Sequence, residues 1–242
     1  MMHYLIHSYP RSGNHIFRSV IELSTRRPTL GCLTNPNDRP ILQNLFQSDQ
    51  YYLSRDPVGI KSHFSWELYR NLDMTRSAGL IPYGVFIFRN PRDSIASVIT
   101  RTCLKKQMTP VEIMHLLDRE CFNWLDGIAV CQQFLSLGHK ASLIDFNKLI
   151  DKDCSPLSLL DSPITKSNAQ RLQLASLQIA RSVSAPPVIS LINHSESLIH
   201  AALESRRELL DSLVYVYQTL LSTQGIQKSV PLPPDAGLCR QC

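Results

Sequence analysis

Short apolar segments alternate with segments of helical periodicity along much of this chain. Residues 4–9, 58–63, 83–88 and 141–146 are short and largely apolar, which is typical of β-strands. The run 83–88 contains no charged residue, and such runs are typical of strands that are buried on both faces of a parallel sheet. Apolar residues at positions 16, 17, 20 and 21 then have the spacing of one helix face. The pattern predicts alternating strands and helices.

Local signals predict where several helices begin and end. Thr109, Pro110 and Glu112 have the spacing of a capping box with proline at the first helical position, so a long helix is predicted to begin there. Gly138 is predicted to end it. Further helices are predicted from residue 93 onward, at 166–183 and at 196–223, with a short one at 42–46.

The order of these elements predicts the fold class. Strands that alternate with helices form parallel α/β sheets with right-handed crossovers. A chain of 242 residues with 43% hydrophobic content is long enough for one large core. We therefore expect a single α/β domain at residues 1–226, with a central parallel sheet flanked by helices. Residues 227–242, which contain three prolines, are predicted to be an irregular tail.

Composition narrows the function classes. The formal net charge of +5 favours anionic ligands, but the charges form no long blocks, so no nucleic-acid partner is expected. Seven cysteines and no apolar leader before the first strand argue against a secreted disulfide framework, so we expect reduced thiols and a cytoplasmic location. No apolar stretch approaches the roughly 20 residues that a membrane-spanning helix needs, so no membrane span is expected.

Cys239 and Cys242 have the spacing of a redox or metal-binding pair. The sequence offers no second pair of this kind, and this one lies in the predicted irregular tail. We therefore expect no metal site, and no motif specifies an oligomeric state.

The segment after the first strand has the composition of a phosphate-binding loop. Pro10, Arg11, Ser12 and Gly13 precede the first helix, and Asn14 and His15 follow them. A small residue and a glycine allow backbone N–H groups to converge, and the helix N-terminus adds a partial positive charge. The spacing is not that of a Walker A loop. The simpler alternative is an ordinary strand-to-helix turn.

A second segment of the same kind follows the most apolar strand. Arg89 is predicted at the strand's C-terminal end, with Asp93 as the helix N-cap and Ser97 about one turn into the helix. Ligands of open α/β sheets bind at the carboxyl ends of the strands, where both segments are expected. Two anion sites at one edge suit a ligand that is phosphorylated at two places. The structural alternative is an ion pair between Arg89 and Asp93.

Lys61 and His63 lie two residues apart on a predicted strand, so both side chains are expected on the same face. His63 is suited to accept a proton and Lys61 to stabilise a developing negative charge. The simpler alternative is a packed or surface histidine. Five nearby aromatic residues are expected either to line an acceptor pocket or to belong to the core: Tyr51, Tyr52, Phe64, Trp66 and Tyr69.

Taken together, these segments resemble the sulfotransferase family. Tyr9-Pro10-Arg11-Ser12-Gly13 is similar to the family's 5′-phosphosulfate loop, and Arg89-Asn90-Pro91-Arg92-Asp93 with Ser97 is similar to its 3′-phosphate motif. Lys61-Ser62-His63 resembles the Lys-Thr-His segment that supplies the catalytic base in cytosolic members. Residues 145–149 resemble their Tyr-Glu-Asp-Leu segment. The resemblance covers about residues 4 to 150.

The resemblance implies a P-loop NTPase-like sulfotransferase fold that binds 3′-phosphoadenosine 5′-phosphosulfate (PAPS) and needs no metal. It implies transfer of a sulfuryl group to a hydroxyl or amine of a small-molecule or glycan acceptor. His63 would take the acceptor's proton, while Lys61 and Arg11 would neutralise the leaving phosphate. The residues implied in donor binding are Arg11, Ser12, Gly13, Asn14, His15, Arg89 and Ser97.

The chain departs from the family pattern at several positions. Asn14 and His15 replace two Thr or Ser residues, and Phe146 replaces a tyrosine. The basic C-terminal segment that closes over the donor has no counterpart, so either Arg171, Arg181 or another basic residue substitutes, or the donor site is more open. Two other functions stay open: a nucleotide-dependent kinase, which would need Mg²⁺ ligands, and a donor-binding scaffold without catalysis.

Overall fold

The structure, a computed structural model, describes residues 2–25, 27–32, 56–150, 175 and 189–227. Five strands in these ranges form one sheet: β1 (Met2–Ser8), β2 (Thr29–Leu30), β3 (Gly59–Ser62), β4 (Ile81–Phe88) and β5 (Ala141–Asp145). Their order is β2-β3-β1-β4-β5, and every pairing is parallel. The predicted α/β class with a central parallel sheet is confirmed.

Seven helices are described beside this sheet. They are α1 (Asn14–Thr25), α2 (Ser65–Ser77), α3 (Pro91–Cys103), α4 (Pro110–Ser136), α5 (Phe146–Ile150), α6 (Ile189–Ser205) and α7 (Arg207–Gln227). A search of the described residues finds no helix with the length and apolar character needed to cross a bilayer.

The two faces of the sheet bury separate apolar clusters, because successive strand residues point to opposite faces. On one face, Leu5 of β1 and Phe86 of β4 belong to a cluster with residues of α2, α3, α4, α6 and α7. On the other face, Ile6 of β1 and Val85 of β4 pack with residues of α1 and α5. The central strands are therefore buried on both sides, as the apolar run at 83–88 predicts.

The capping box predicted for α4 is confirmed. The Thr109 hydroxyl accepts a hydrogen bond from the Glu112 N–H at 3.3 Å, and the Glu112 carboxylate accepts one from the Thr109 N–H at 2.8 Å. α4 ends at Ser136, and Gly138 follows with a φ of 78°. A left-handed glycine at this place is a common way to end a helix.

The predicted N-cap of α3 is wrong. Asn90 caps this helix, and its side chain accepts a hydrogen bond from the Arg92 N–H at 3.0 Å. Pro91 takes the first helical position, where its missing N–H costs nothing. Asp93 therefore lies within the first turn, and Ser97 lies near the end of the second turn instead of the first.

Two predicted boundaries also need correction. The strand predicted at 141–146 ends at Asp145, because the Asp145 carboxylate accepts a hydrogen bond from the Asn147 N–H at 2.9 Å and thereby starts α5. The single helix predicted at 196–223 is two helices, α6 and α7. The chain leaves the helical path at Arg206, whose guanidinium pairs with Asp118 of α4.

Sequence reasoning missed α2, which directly follows the proposed base. Its first turn is stabilised by Glu67, whose carboxylate accepts hydrogen bonds from the N–H groups of His63 at 2.9 Å and Phe64 at 3.3 Å. Leu68 and Leu72, four residues apart and buried, are the apolar signal for this helix. The helices predicted at 42–46 and 166–183, and the tail from residue 228, lie outside the described residues.

Gly84→Ala is expected to lower the free energy of unfolding by about 1 to 3 kcal/mol, because a buried site in β4 would be overpacked. A Cβ at position 84 would approach Phe134 Cε1 to 2.6 Å and Ala141 Cβ to 3.0 Å. Urea denaturation, monitored by circular dichroism, measures the change.

Gly127→Ala is the matched control. This glycine is also buried, but it lies within α4, and a Cβ there would meet only His7 Nε2, at 3.9 Å. Alanine is favoured over glycine in helices by about 1 kcal/mol, so this variant should be more stable than the wild type. Equal losses in both variants would contradict the packing explanation.

Candidate functional site

Four strand ends place the candidate residues at one edge of the sheet. Because the strands are parallel, the residues that follow β1, β3, β4 and β5 all lie at the carboxyl edge. These are the loop at residues 9–13, His63, Arg89 and Phe146. The structure therefore places the two candidate anion-binding segments and the candidate base at the same edge, as predicted from the sequence.

The loop after β1 is a tight turn with two left-handed residues. Arg11 has a φ of 67° and Gly13 a φ of 88°, and the Ser12 N–H donates to the Tyr9 carbonyl at 3.2 Å. A left-handed conformation is uncommon for a residue other than glycine and often marks functional sites. The turn leads directly into the N-terminus of α1, where helical N–H groups favour anions.

Gly13 is required by packing as well as by its backbone angle. A Cβ at this position would lie 2.4 Å from Cδ2 of Phe146 and 2.7 Å from its Cε2. The Phe146 ring therefore lies directly against the backbone of the loop. Any larger residue at position 13 would displace either the loop or the ring.

Arg89 is held by the same ring and by the loop backbone. Its guanidinium lies 4.8 Å from the centroid of Phe146, and its Nη1 donates to the Arg11 carbonyl at 3.2 Å. A guanidinium over an aromatic face is stabilised by the ring quadrupole. Arg89 and Asp93 are both described residues, and they form no ion pair with each other. The alternative interpretation of this segment, an ion pair between these two residues, is therefore wrong.

The side chain of Arg11 reaches Ser97 in the second candidate anion-binding segment. Its Nε donates to the hydroxyl of Ser97 at 3.2 Å. Burial lowers the pKa of Arg11, and the positive charges of Arg101 and Arg89 lower it further. The charges of Arg89 and Arg101 are thus close enough to act on Arg11. The guanidinium of Arg11 lies at the hydroxyl that the resemblance assigns to the 3′-phosphate.

The other predicted residues of the loop differ in exposure. Ser12 is fully buried, and its hydroxyl has no hydrogen-bond partner among the described residues. Asn14 is buried too; its amide donates to the Ser8 hydroxyl at 3.0 Å, while its Oδ1 has no such partner in the described part of the chain. His15 is half-buried in the first turn of α1. Arg171 and Arg181 lie outside the described residues.

The orientation of His63 fixes the tautomer of its neutral ring. Its Nδ1 lies 2.7 Å from the carbonyl oxygen of Ser8, at the end of β1. A carbonyl only accepts hydrogen bonds, so Nδ1 must carry a proton, and in the neutral ring Nε2 then carries the lone pair. Nε2 is therefore the nitrogen that can take a proton from a substrate.

The environment of His63 keeps its imidazole neutral. Burial, and then the positive charge of Lys61, lower its pKa to about 3. Lys61 itself is buried in β3 and is 6% exposed. The structure thus places both residues at the end of one strand, with the cation close enough to disfavour a charged imidazole.

A cleft of about 470 Å³ opens beside His63. Its lining comes from the loop, from the start of α2 and from the inner faces of α3 and α4: Pro10, His63, Phe64, Val98, Arg119, Glu120 and Asn123. Phe64 is the described aromatic candidate that lines it, whereas the hydroxyl of Tyr69 donates to Gln133. Trp66 is half-exposed, and Tyr51 and Tyr52 lie outside the described residues.

Sequence reasoning missed the carboxylate of this cleft, Glu120. It is buried, and it accepts hydrogen bonds from the hydroxyl of Tyr9 at 2.8 Å and from Asn123 at 3.3 Å. Arg119 donates to its other oxygen from both Nε and Nη2. The available signal was an acidic residue on the apolar face of α4, between Leu117 and Trp124.

Two comparisons with known proteins give no match. Neither a scan against models of protein families nor a search of curated proteins finds one. Among the described residues, no group of three or more His, Cys, Asp and Glu side chains could hold a metal ion. Cys239 and Cys242 lie outside the described residues.

His63 is expected to stay neutral between pH 5 and pH 8 in the free protein, because its pKa is lowered from 6.5 to about 3. Its ring resonances in an NMR titration should therefore not move over this range. Comparison with a His63→Ala spectrum assigns them. A titration midpoint near 6.5 would show that neither burial nor Lys61 acts on the ring as described.

Proposed function

We propose that this protein transfers a sulfuryl group from 3′-phosphoadenosine 5′-phosphosulfate to a hydroxyl acceptor. The observation that carries the proposal is the contact between its two anion-binding segments. Arg89 donates to the carbonyl of Arg11, 78 positions away in sequence, and Arg11 donates back across the edge to Ser97. A ligand that bears phosphates at two places suits such paired sites.

The proposed donor lies along the carboxyl edge of the sheet. The loop at residues 9–13 and the first turn of α1, with Asn14 and His15, hold the 5′-phosphosulfate through backbone N–H groups. Arg89 and Ser97 hold the 3′-phosphate, as the resemblance to sulfotransferases implies. We also propose that the fold is the P-loop NTPase-like fold of sulfotransferases. A central parallel sheet flanked by helices is one feature of that fold.

In the proposed reaction, the acceptor oxygen attacks the sulfur in line with the bridging oxygen. The new O–S bond forms as the bond between sulfur and the bridging oxygen breaks, and adenosine 3′,5′-bisphosphate leaves. His63 Nε2 takes the acceptor's proton, since Nδ1 is already bound to Ser8. Lys61 stabilises the charge that develops on the bridging oxygen. Positioning supplies most of the acceleration, as in phosphoryl transfer.

The proposed acceptor site is the cleft beside His63. Phe64, Pro10 and Val98 form an apolar part of its lining, while Glu120 and Asn123 supply polar groups. An apolar cleft with a few fixed polar groups is typical of small-molecule sites. A hydroxyl on a small molecule or a glycan fits this chemistry, and an amine acceptor would use the same base.

The protein is expected to bind adenosine 3′,5′-bisphosphate at least about tenfold more tightly than adenosine 5′-monophosphate, because the second phosphate gains charge-assisted hydrogen bonds. Isothermal titration calorimetry with both ligands measures the ratio. Equal affinities would contradict the two-site proposal, and preferential binding of Mg-ATP would favour the kinase.

His63→Ala is expected to reduce sulfuryl transfer by about 10² to 10⁴, the usual loss for a missing general base. Donor affinity should change little, because the base acts on the acceptor. A transfer assay with ³⁵S-labelled donor and a mixed panel of acceptors measures the rate. His200→Ala, which removes an exposed histidine of α6, is the control and should retain full activity.

Lys61→Ala tests the role proposed for Lys61, which is to stabilise the charge on the bridging oxygen, separately from the role of His63. It is expected to slow transfer and also to weaken donor binding, since its ammonium is assigned to the phosphosulfate. If the protein bound donor without transfer to any acceptor, and His63→Ala altered nothing, the donor-binding scaffold would become the better proposal.

A further inference from the structure

Arg11, Arg89 and Arg101 are the arginines associated with Ser97 in this part of the site. Arg11 donates to it directly, and Arg89 donates to the backbone of Arg11. Arg101 lies four residues after Ser97 on α3, so both side chains lie on the same face of that helix. Arg101 is exposed, and its charge is close enough to lower the pKa of Arg11.

These three charges are not neutralised by the protein in its described part. Other arginines of the same region have acidic partners: Arg92 pairs with Asp211, and Arg119 pairs with Glu120. Within residues 2–25, 27–32, 56–150 and 189–227, no carboxylate lies within ion-pair distance of Arg11, Arg89 or Arg101. Like charges held together without a counter-ion destabilise the free protein, and a bound anion relieves that repulsion.

The hydroxyl of Ser97 is available as a donor to such an anion. It accepts the hydrogen bond from Arg11 with a lone pair, so its own hydrogen can point elsewhere. A phosphate monoester carries close to two negative charges near neutral pH and three strong acceptor oxygens. Three guanidinium groups and one hydroxyl can neutralise that charge and donate to all three oxygens.

We propose that Arg101 is a specificity-determining residue that, with Arg11 and Arg89, forms a three-arginine pocket for the 3′-phosphate of the nucleotide donor. This inference rests on the proposed function and deepens it. It assigns the Arg11 side chain to the 3′-phosphate instead of the leaving group, which is left to Lys61 and the loop backbone. The pocket would distinguish nucleotides by the presence of a 3′-phosphate.

The test uses the full chain and compares two nucleotides in calorimetry, adenosine 3′,5′-bisphosphate and adenosine 5′-monophosphate. Arg101→Ala is expected to weaken binding of the bisphosphate at least about tenfold, because one charge-assisted contact to phosphate is lost. Its effect on the monophosphate should be less than about threefold, because a distant charge acts only through a screened field. The preference for the bisphosphate therefore falls.

Arg207→Ala is the control, because it removes an exposed arginine that is paired with Glu204 and lies outside both candidate anion-binding segments. It should leave the preference unchanged. A wild-type preference that survives in Arg101→Ala would overturn the role of Arg101 and leave the proposed function standing. So would an equal loss of affinity for both nucleotides. A wild type without any preference would overturn both proposals together.

Discussion

The ring of Phe146 is where three parts of the chain meet, and the arrangement of the site depends on it. Its Cδ2 and Cε2 lie against the backbone of Gly13, and the guanidinium of Arg89 lies over the ring. Phe146 also begins α5, directly after the edge strand β5. Because the loop at residues 9–13, Arg89 and the end of β5 all contact this ring, it joins the two candidate anion-binding segments.

Most of the fold could be predicted because its signals are local. The apolar run at 83–88 and the capping box at Thr109 and Glu112 each involve residues that are close in sequence, and the structure contains both elements. The errors occur where a local signal has competitors. Asp93 and Asn90 are both good caps, and the proline after Asn90 decides between them. The break at Arg206 depends on Asp118, which is 88 residues away.

The motifs of the candidate site could be predicted from the sequence, but the contacts between their side chains could not. Residues at the ends of parallel strands must share an edge, so Arg89 and His63 could be placed together from the sequence. The direction of the Arg11 side chain could not, because it depends on a left-handed backbone that a non-glycine residue seldom adopts. Arg101 and Glu120 were missed for another reason, since their effects involve neighbours on other elements, Arg11 and Tyr9.

Ser8 contacts the candidate base and directly precedes the loop at residues 9–13. Its carbonyl holds the imidazole of His63, its hydroxyl accepts from Asn14, and the loop begins at the next residue. A rearrangement of the loop that rotates the peptide of Ser8 must also turn the imidazole. If the loop binds the nucleotide as we propose, its occupancy would be coupled through Ser8 to the orientation of the imidazole. In the proposed reaction, this coupling favours an order of binding in which the nucleotide enters first and the acceptor then meets an aligned histidine.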